Sequence, residues 1–499
     1  MTGQNRNGLI VNTTCSANCQ FALHDYDNLP MINLTPPDKP MKRSLQTAFK
    51  SWIGLTLLVI ASLVGIYLRN GTAGLNLFIQ QWPLSNLVVT LASTSIIWLL
   101  LGALLYMLAN DKINASNVFF VAGFFIIMFL YLNILRERFR YGDYAYYIEA
   151  ATALLNNQHL PDTYLYLPLW ATLLQYIVPL GDQGVLAILW TMNVVMLGLF
   201  YALLVRVLER YGYSNRLAVT IAVLFMLINT PLHRTLGYVQ VNLLVMVLVM
   251  YSMLAFPKNT FLSALALALA VHLKTSPAAL VLAFLLERNW RWLAWFALSF
   301  LIIALIPVAL EGVTPYFDYV TNIGILTQIT DTNFHDTSFD SFFRFFNPFL
   351  GIGIETTRVI IYLAKAALGL STIYVMAQNV RKHTFVDEKA VSPVLLNAMP
   401  SLFVVMTLTS PIVWDHHGLF TTLSFLLLIK RIESPALWIW FGFAYFLEFI
   451  IPSFDFFPWS FGRLIAPIIV LWLMWMNTKK DTSSSFFGNA NQWLAALKI

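Results

Sequence analysis

The sequence predicts an all-α polytopic membrane protein, and three observations carry that prediction. Of 499 residues, 59% are hydrophobic and only 11% charged, whereas a soluble domain carries about 25% charged residues. Mean hydropathy is +0.70, so there are too few polar side chains to cover a water-facing globule, and lipid is the natural solvent for the outer faces. The apolar residues come in long runs without the alternation of a lipid-facing strand, which excludes an outer-membrane barrel. A secreted disulfide scaffold and a cytosolic enzyme are excluded on the same composition. Nucleic acid is excluded as a partner because the net charge of +6 is spread over short connectors.

Residues 1–50 are expected to be a disordered cytoplasmic leader. Their first forty-five are rich in Asn, Thr, Pro and Asp and lack the apolar core and cleavage site of a signal peptide. Cys15 and Cys19 lie there with no partner His or second Cys pair, so a metal site is not expected from them. Apolar runs then fall near 52–68, 88–108, 115–135, 185–205, 217–230, 238–256, 261–272, 276–286, 291–310, 357–377, 394–410, 417–430, 436–451 and 463–476. Read as passes, they give a membrane domain over 51–476 with about 12 to 14 transmembrane helices, followed by a cytoplasmic tail over 477–499. The stretch 168–180 is too short to span and reads as interfacial or re-entrant. The 261–286 block is either one helix interrupted at Lys274-Thr275-Ser276-Pro277 or two half-length helices meeting there, because Pro277 removes a backbone donor.

With the N-terminus inside, twenty of the thirty Lys and Arg fall on inside segments and nine on outside ones, with Lys365 within a helix. This bias places both termini in the cytoplasm. It also makes the outside cations informative, since a cation held there needs an anionic partner or a function. They concentrate in 136–166, in 231–242 and in the long outside loop 311–356, which carries Asp331, His335, Asp336, Asp340 and Arg344. With Trp414-Asp415-His416-His417 at a fourth outside corner, most of the unusual polar residues share one side of the membrane.

Each candidate has a plain alternative. Asp143 opens an amphipathic stretch to Leu155, with Tyr144, Ile148, Ala151 and Leu155 on one face. It is either an N-cap or a general base for an acceptor hydroxyl, and the roles are compatible. His233 and Arg234 precede Gly237 and a helix whose first turn is expected to carry Gln240 and Asn242, a grouping suited to an anion; the alternative is an Arg that reaches lipid headgroups. Lys274 in an apolar helix calls either for a phosphate or carboxylate ligand or for an ion pair with a loop acid. His416 and His417 lack the spacing of a metal site, so donation to a phosphate is expected of them and no metal or cofactor is expected. Asp331, Asp336 and Asp340 are expected to be solvated or capping.

Four passages in order resemble glycosyltransferase family 87: Asp143-Tyr144 with the run Tyr164-Leu-Tyr-Leu-Pro168, Arg234 to Asn242, Ala268 to Pro277 around Lys274, and Ser410 to His417. The likeness covers roughly residues 110 to 475. The resemblance implies a GT-C-type helical bundle with extracytoplasmic loops bearing amphipathic helices, and polyprenol-phosphate-mannose-dependent transfer with inversion. It implies that Asp143 is the catalytic base and that Arg234, Lys274, His416 and His417 line the donor-phosphate region. Tyr144, Tyr166, Gln240, Asn242, His335 and Asp415 are then expected at the substrate. The partners implied are a polyprenyl-phosphate sugar, a lipid or glycan acceptor and membrane lipids, with the active site on the extracytoplasmic face of a bacterial plasma membrane. Here Gly237 is displaced in the Gly-Gln-Val-Asn pattern, and Leu167-Pro168-Leu169 lacks the usual second Pro. A transporter or flippase of a lipid-linked sugar is the alternative from another class, since broken helices and intramembrane cations suit it as well.

The charge bias generates a test of topology. The variant His335→Cys should react with a membrane-impermeant thiol reagent from outside in intact cells, and His383→Cys should not; reversed labelling would invert the orientation.

Overall fold

A computed structural model describes residues 39–80, parts of 98–110, 115–135, 143–328 except 287, 336–382, 393–450 except 433, and 459–477. Cys15, Cys19, Asp331, His335, His383 and the tail lie outside the described residues. Among those described there is no strand, and the chain is an all-α, multi-pass membrane protein. Helix α1 (Lys39–Gln80) is broken at Gly71, where φ is +61°. It begins at Lys39, inside the segment expected to be a disordered leader. Its apolar flank is exposed, with Leu58 and Leu68 turned outward, and it is tied to the segment around Trp98 by reciprocal indole hydrogen bonds.

The remaining helices are α2 (Ala115–Leu135), α3 (Tyr144–Leu155), α4 (Leu169–Leu174), α5 (Gly181–Arg210), α6 (Asn215–Leu227), α7 (Thr230–Gly237), α8 (Asn242–Ala255), α9 (Thr260–Leu273), α10 (Val281–Leu286), α11 (Trp290–Glu311), α12 (Thr314–Gln328), α13 (Phe339–Leu350), α14 (Ile354–Lys382), α15 (Pro393–Leu408), α16 (Thr422–Leu428), α17 (Pro435–Tyr445) and α18 (Gly462–Asn477). One continuous apolar core runs from Ile127 to Met474 through most of them. Aromatic stacking joins α10 to α11, where Phe284 and Trp292 lie face to face with centroids 3.7 Å apart.

Among the described residues, four segments are long and apolar enough to cross a membrane: Phe49–Gly71, Val178–Arg210, Trp290–Glu311 and Ile354–Ala377. The pair Asn215–Leu227 and Thr230–Gly237 qualifies together but is bent by 62°. Other apolar helices have 10–17 residues, below the roughly 20 needed to cross upright. Among the described residues, full-length spans thus stand beside shorter apolar helices. The causes are local. Asn229 caps α7 through its side chain and Pro231 sits in the first turn, so the run 217–230 ends at Leu227. Lys274 is extended, with φ −156° and ψ 126°, so the 261–286 block is two pieces, α9 and a 3₁₀ turn (Ser276–Leu280) leading into α10. The run 417–430 opens as a 3₁₀ turn (Asp415–Thr421), and 436–451 closes as a π-helical turn (Phe446–Ile450).

The stretch 168–180, expected to be interfacial or re-entrant, is buried over α4 and exposed at Tyr176 and Leu180. In α4 the residues Leu169, Trp170, Ala171, Thr172 and Leu174 are buried against neighbouring helices. The face of α3 differs too. Tyr147, Ala150, Ala151 and Leu154 point inward while Leu155 is 46% exposed, because the side chain that must enter the core is Tyr147. Tyr144 and Ile148 pack only at its margin.

Candidate functional site

The breaks in the helices converge. Asp143 precedes α3, Gln240 lies in the connector between α7 and α8, Asn242 begins α8, Lys274 ends α9, and Asp415 to His417 form the 3₁₀ turn before α16. Gln240 precedes α8 and does not lie in its first turn, because Val239 turns the chain with φ +55°.

Asp143 occupies the N-cap position of α3, yet its side chain makes no capping hydrogen bond and its backbone is helical. Its carboxylate instead accepts a hydrogen bond from the Gln240 amide nitrogen. Gln240 is fully buried, and its carbonyl accepts from the Tyr147 hydroxyl at 2.6 Å and from Tyr166 at 3.4 Å. A carboxylate only accepts, so the Gln240 amide nitrogen faces Asp143 and its carbonyl is left to the two phenolic donors; this pairing fixes the amide and the carboxylate together. Burial pushes the Asp143 carboxyl above its ordinary range; the Gln240 hydrogen bond and the charge of Lys274 pull the other way, and Asp415 adds to the rise. A raised carboxyl is suited to taking up a proton near neutral pH.

The cations are held in different ways. Lys274 Nζ donates to Asn242 Oδ1 at 2.9 Å and lies 5.3 Å from the centroid of the Phe420 ring. Among the described residues no carboxylate lies within 4.0 Å of it, so neither Asp336 nor Asp340 forms the expected ion pair with it. Arg234 pairs with Asp415 at 3.2 Å and donates to the Tyr238 hydroxyl at 3.1 Å. It is tied down on one side and one-third exposed on the other. His233 leaves this group and packs edge-on against Tyr131 at 5.1 Å, since adjacent helical residues point about 100° apart.

His416 is buried, and its ring meets Tyr238 at 6.0 Å and His417 at 4.6 Å. His417 Nδ1 accepts from the Trp414 amide at 3.2 Å while its own amide donates to the Trp414 carbonyl. In the neutral ring the proton is then on Nε2, which becomes a donor. Beneath this turn Glu448, 1% exposed, accepts from the Thr421 hydroxyl at 2.8 Å and lies against Gly418, where a Cβ would clash with its Oε1. Arg463, also buried, donates to the Glu448 carbonyl at 3.2 Å. Among the described residues no three His, Cys, Asp or Glu side chains gather as a metal-binding group.

Asp143, Tyr166, Gln240, Asn242, Lys274, Arg234, Asp415, His416 and His417 are thus linked through direct contacts and mutual charges, Tyr144 stands beside them on α3, and His335 lies outside the described residues. Tyr147, Tyr238 and Glu448 are not among the candidates singled out from the sequence. Tyr147 follows Asp143 by one helical turn, and Glu448 is a lone acid in an apolar run; both are legible signals. The acids of 331–340 depart from solvation: Asp336 and Asp340 are buried, and Asp340 is paired with Lys365.

The geometry around Asp143 predicts a pH effect with a definite sign. Replacing Gln240 by Met removes the donor that favours the carboxylate, so the acid limb of kcat/KM should move to higher pH; an unmoved or lowered limb would separate Gln240 from the reacting carboxylate.

No curated protein matches the chain. The family model described as Glycosyltransferase family 87 matches residues 164–411. The matched segment contains Tyr166, Arg234, Gln240, Asn242 and Lys274; Asp143 lies before it, and Asp415 to His417 lie just after it. Through that segment the chain belongs to glycosyltransferase family 87 and is a multi-pass membrane glycosyltransferase.

Proposed function

We propose that the protein transfers a sugar, mannose by the family resemblance, from a polyprenyl-phosphate donor to an acceptor hydroxyl, with inversion and with Asp143 as general base, at the extracytoplasmic face of the cell membrane. The observation that carries this reading is the Asp143–Gln240–Tyr147 chain: a partly buried carboxylate at a helix start, spared from capping and aimed by a buried amide. Its free lone pairs accept the proton of an acceptor hydroxyl as oxygen attacks the anomeric carbon. The bond from that carbon to the phosphate oxygen breaks, and polyprenyl phosphate leaves with one more negative charge than the diester carried.

Stabilising that charge is the task assigned to Lys274 and Arg234, with His416 and His417 lining the same region. Lys274 is the most available of them, since its only hydrogen-bonding partner among the described residues is the neutral Asn242. Among the described residues Asn242 Nδ2 is buried without a hydrogen-bond partner, which leaves it as a further donor beside Lys274. Arg234, anchored by Asp415, acts as a fixed point charge. The family match favours this chemistry over transport of an intact lipid-linked sugar, and a radiolabelled polyprenyl-phosphate-mannose assay in liposomes separates transfer from movement of the lipid.

In that assay Asp143→Asn should lose activity by about 100-fold or more while donor binding persists, because the amide cannot accept a proton. Activity close to wild type would remove Asp143 as the base. Lys274→Met should cost little thermal stability in detergent, since it replaces a cation that has no carboxylate partner among the described residues by an apolar side chain of similar length. Donor affinity should weaken by about 1.5 to 3 kcal/mol, the size of a charge-assisted contact. A destabilised variant that binds donor like the wild type would take Lys274 out of the site.

A further inference from the structure

Asp336 lies outside the groups given chemical roles above, in the short link that leads into α13. Its Oδ1 accepts the amide of Val413 at 2.9 Å and that of Ser338 at 3.0 Å, and its Oδ2 accepts the Ser338 hydroxyl at 3.0 Å. Thr337 returns the contact, its amide and hydroxyl donating to the Val413 carbonyl at 2.8 and 3.0 Å. Both backbone polar groups of Val413 are therefore committed to one link, seventy-seven positions away in sequence. The link is itself anchored, because Ser338 caps α13 through the Ser341 amide.

Capping α13 needs only Ser338. The bonds from Asp336 and Thr337 to Val413 add nothing to that helix; they fix the backbone two residues before Asp415, which pairs with Arg234, and one residue before Trp414, whose amide and carbonyl close the turn onto His417. The far end of the same turn is held by Thr421, whose hydroxyl joins the Gly418 carbonyl to Glu448. The turn is thus clamped at both ends, and the carboxylate at its entrance is almost wholly buried. Burial pushes the Asp336 carboxyl up to about 6 against the opposing effect of the Val413 and Ser338 donors, with Asp340 on α13 adding to the rise. It remains the ionised acceptor at pH 7.5.

We propose that Asp336 is a positioning residue of the transfer reaction, holding Val413 so that Asp415 anchors Arg234, and His416 and His417 line the donor-phosphate region. The proposal rests on the transferase reading above and extends it to a residue that touches no substrate. Its logic is geometric. An ion-paired arginine stabilises a leaving phosphate only where it already stands when charge develops, and a displacement of about 1 Å can cost about 100-fold in rate.

The test compares Asp336→Ala with Asp336→Asn in the full-length protein in liposomes at pH 7.5. Asparagine keeps the Oδ1 acceptor for both amides, whereas alanine removes it. Asp336→Ala should lower kcat by about 100-fold, with a smaller change in donor KM, and Asp336→Asn should restore most of the loss. Hydrogen exchange of the 412–417 amides should accelerate in the Ala variant and stay near wild type in the Asn variant, while thermal stability in detergent identifies any variant that simply fails to fold. Unchanged kcat in a folded Ala variant, or unchanged exchange of these amides, overturns the proposal. If the wild type transfers no sugar from any polyprenyl-phosphate donor, the transferase reading fails instead, and the exchange comparison still decides whether Asp336 holds the turn. Equal loss in Asn and Ala variants with slow exchange in the Asn variant assigns the role to charge and also overturns positioning.

Discussion

The hydrogen bond from the Gln240 amide to Asp143 is the contact on which the rest of the site depends. Gln240 is fully buried and cannot be satisfied by water, so an amide turned the wrong way would face its donor toward phenolic hydroxyls and its carbonyl toward a carboxylate, an arrangement that costs a full unmade hydrogen bond and a repulsion. The acceptor-only carboxylate fixes the choice, and the carbonyl that remains takes the hydroxyl of Tyr147. The position of Tyr147 on α3, the packing of that helix in the core and the tight connector at Val239 are all constraints on where this one amide lies. The carboxylate is consequently held in one orientation, which the role proposed for it as base calls for.

Breaking helices is how this fold assembles polar chemistry in an apolar protein. A continuous helix satisfies its own backbone and offers side chains only around its flank, whereas a broken one releases backbone groups and lets side chains meet end-on. Lys274 in extended conformation, Asn242 at a helix start and the 3₁₀ turn from Asp415 each stand at such an interruption. The cost of each break is offset nearby by a partner from another element: Asn242 for Lys274, Asp415 for Arg234, and Glu448 for Thr421.

Charge is distributed unevenly among these partners, and the unevenness has chemical sense. Arg234 is neutralised by Asp415 and so is positioned more than it is available, while among the described residues Lys274 has only a neutral amide as its hydrogen-bond partner. A site arranged to receive an anion keeps a cation uncommitted and uses its carboxylates for orientation. Away from the site the opposite arrangement appears: Lys365 within α14 is paired to Asp340 of α13, which pins two adjacent helices together.

The sequence by itself determined the class of the protein. Composition and uninterrupted apolar runs dictate helices in lipid, because no other backbone arrangement of this sequence satisfies its own hydrogen bonds there. It also determined which segments carry the unusual polar residues, since Asp143, Arg234, Lys274 and the pair His416-His417 stand out against their apolar surroundings. It showed that Pro277 forbids a smooth helix, without showing which of two solutions the chain adopts. Tertiary structure alone decided the partners. That Asp143 forgoes its capping role for Gln240, ninety-seven positions away, that Lys274 finds Asn242, that Leu155 turns outward while Tyr147 turns inward, and that Asp336 grips Val413 are contacts between elements distant in the chain. Local periodicity reports only which side chains share a helix face; which face meets which neighbour depends on the simultaneous packing of all the helices, and that exists only in the folded molecule.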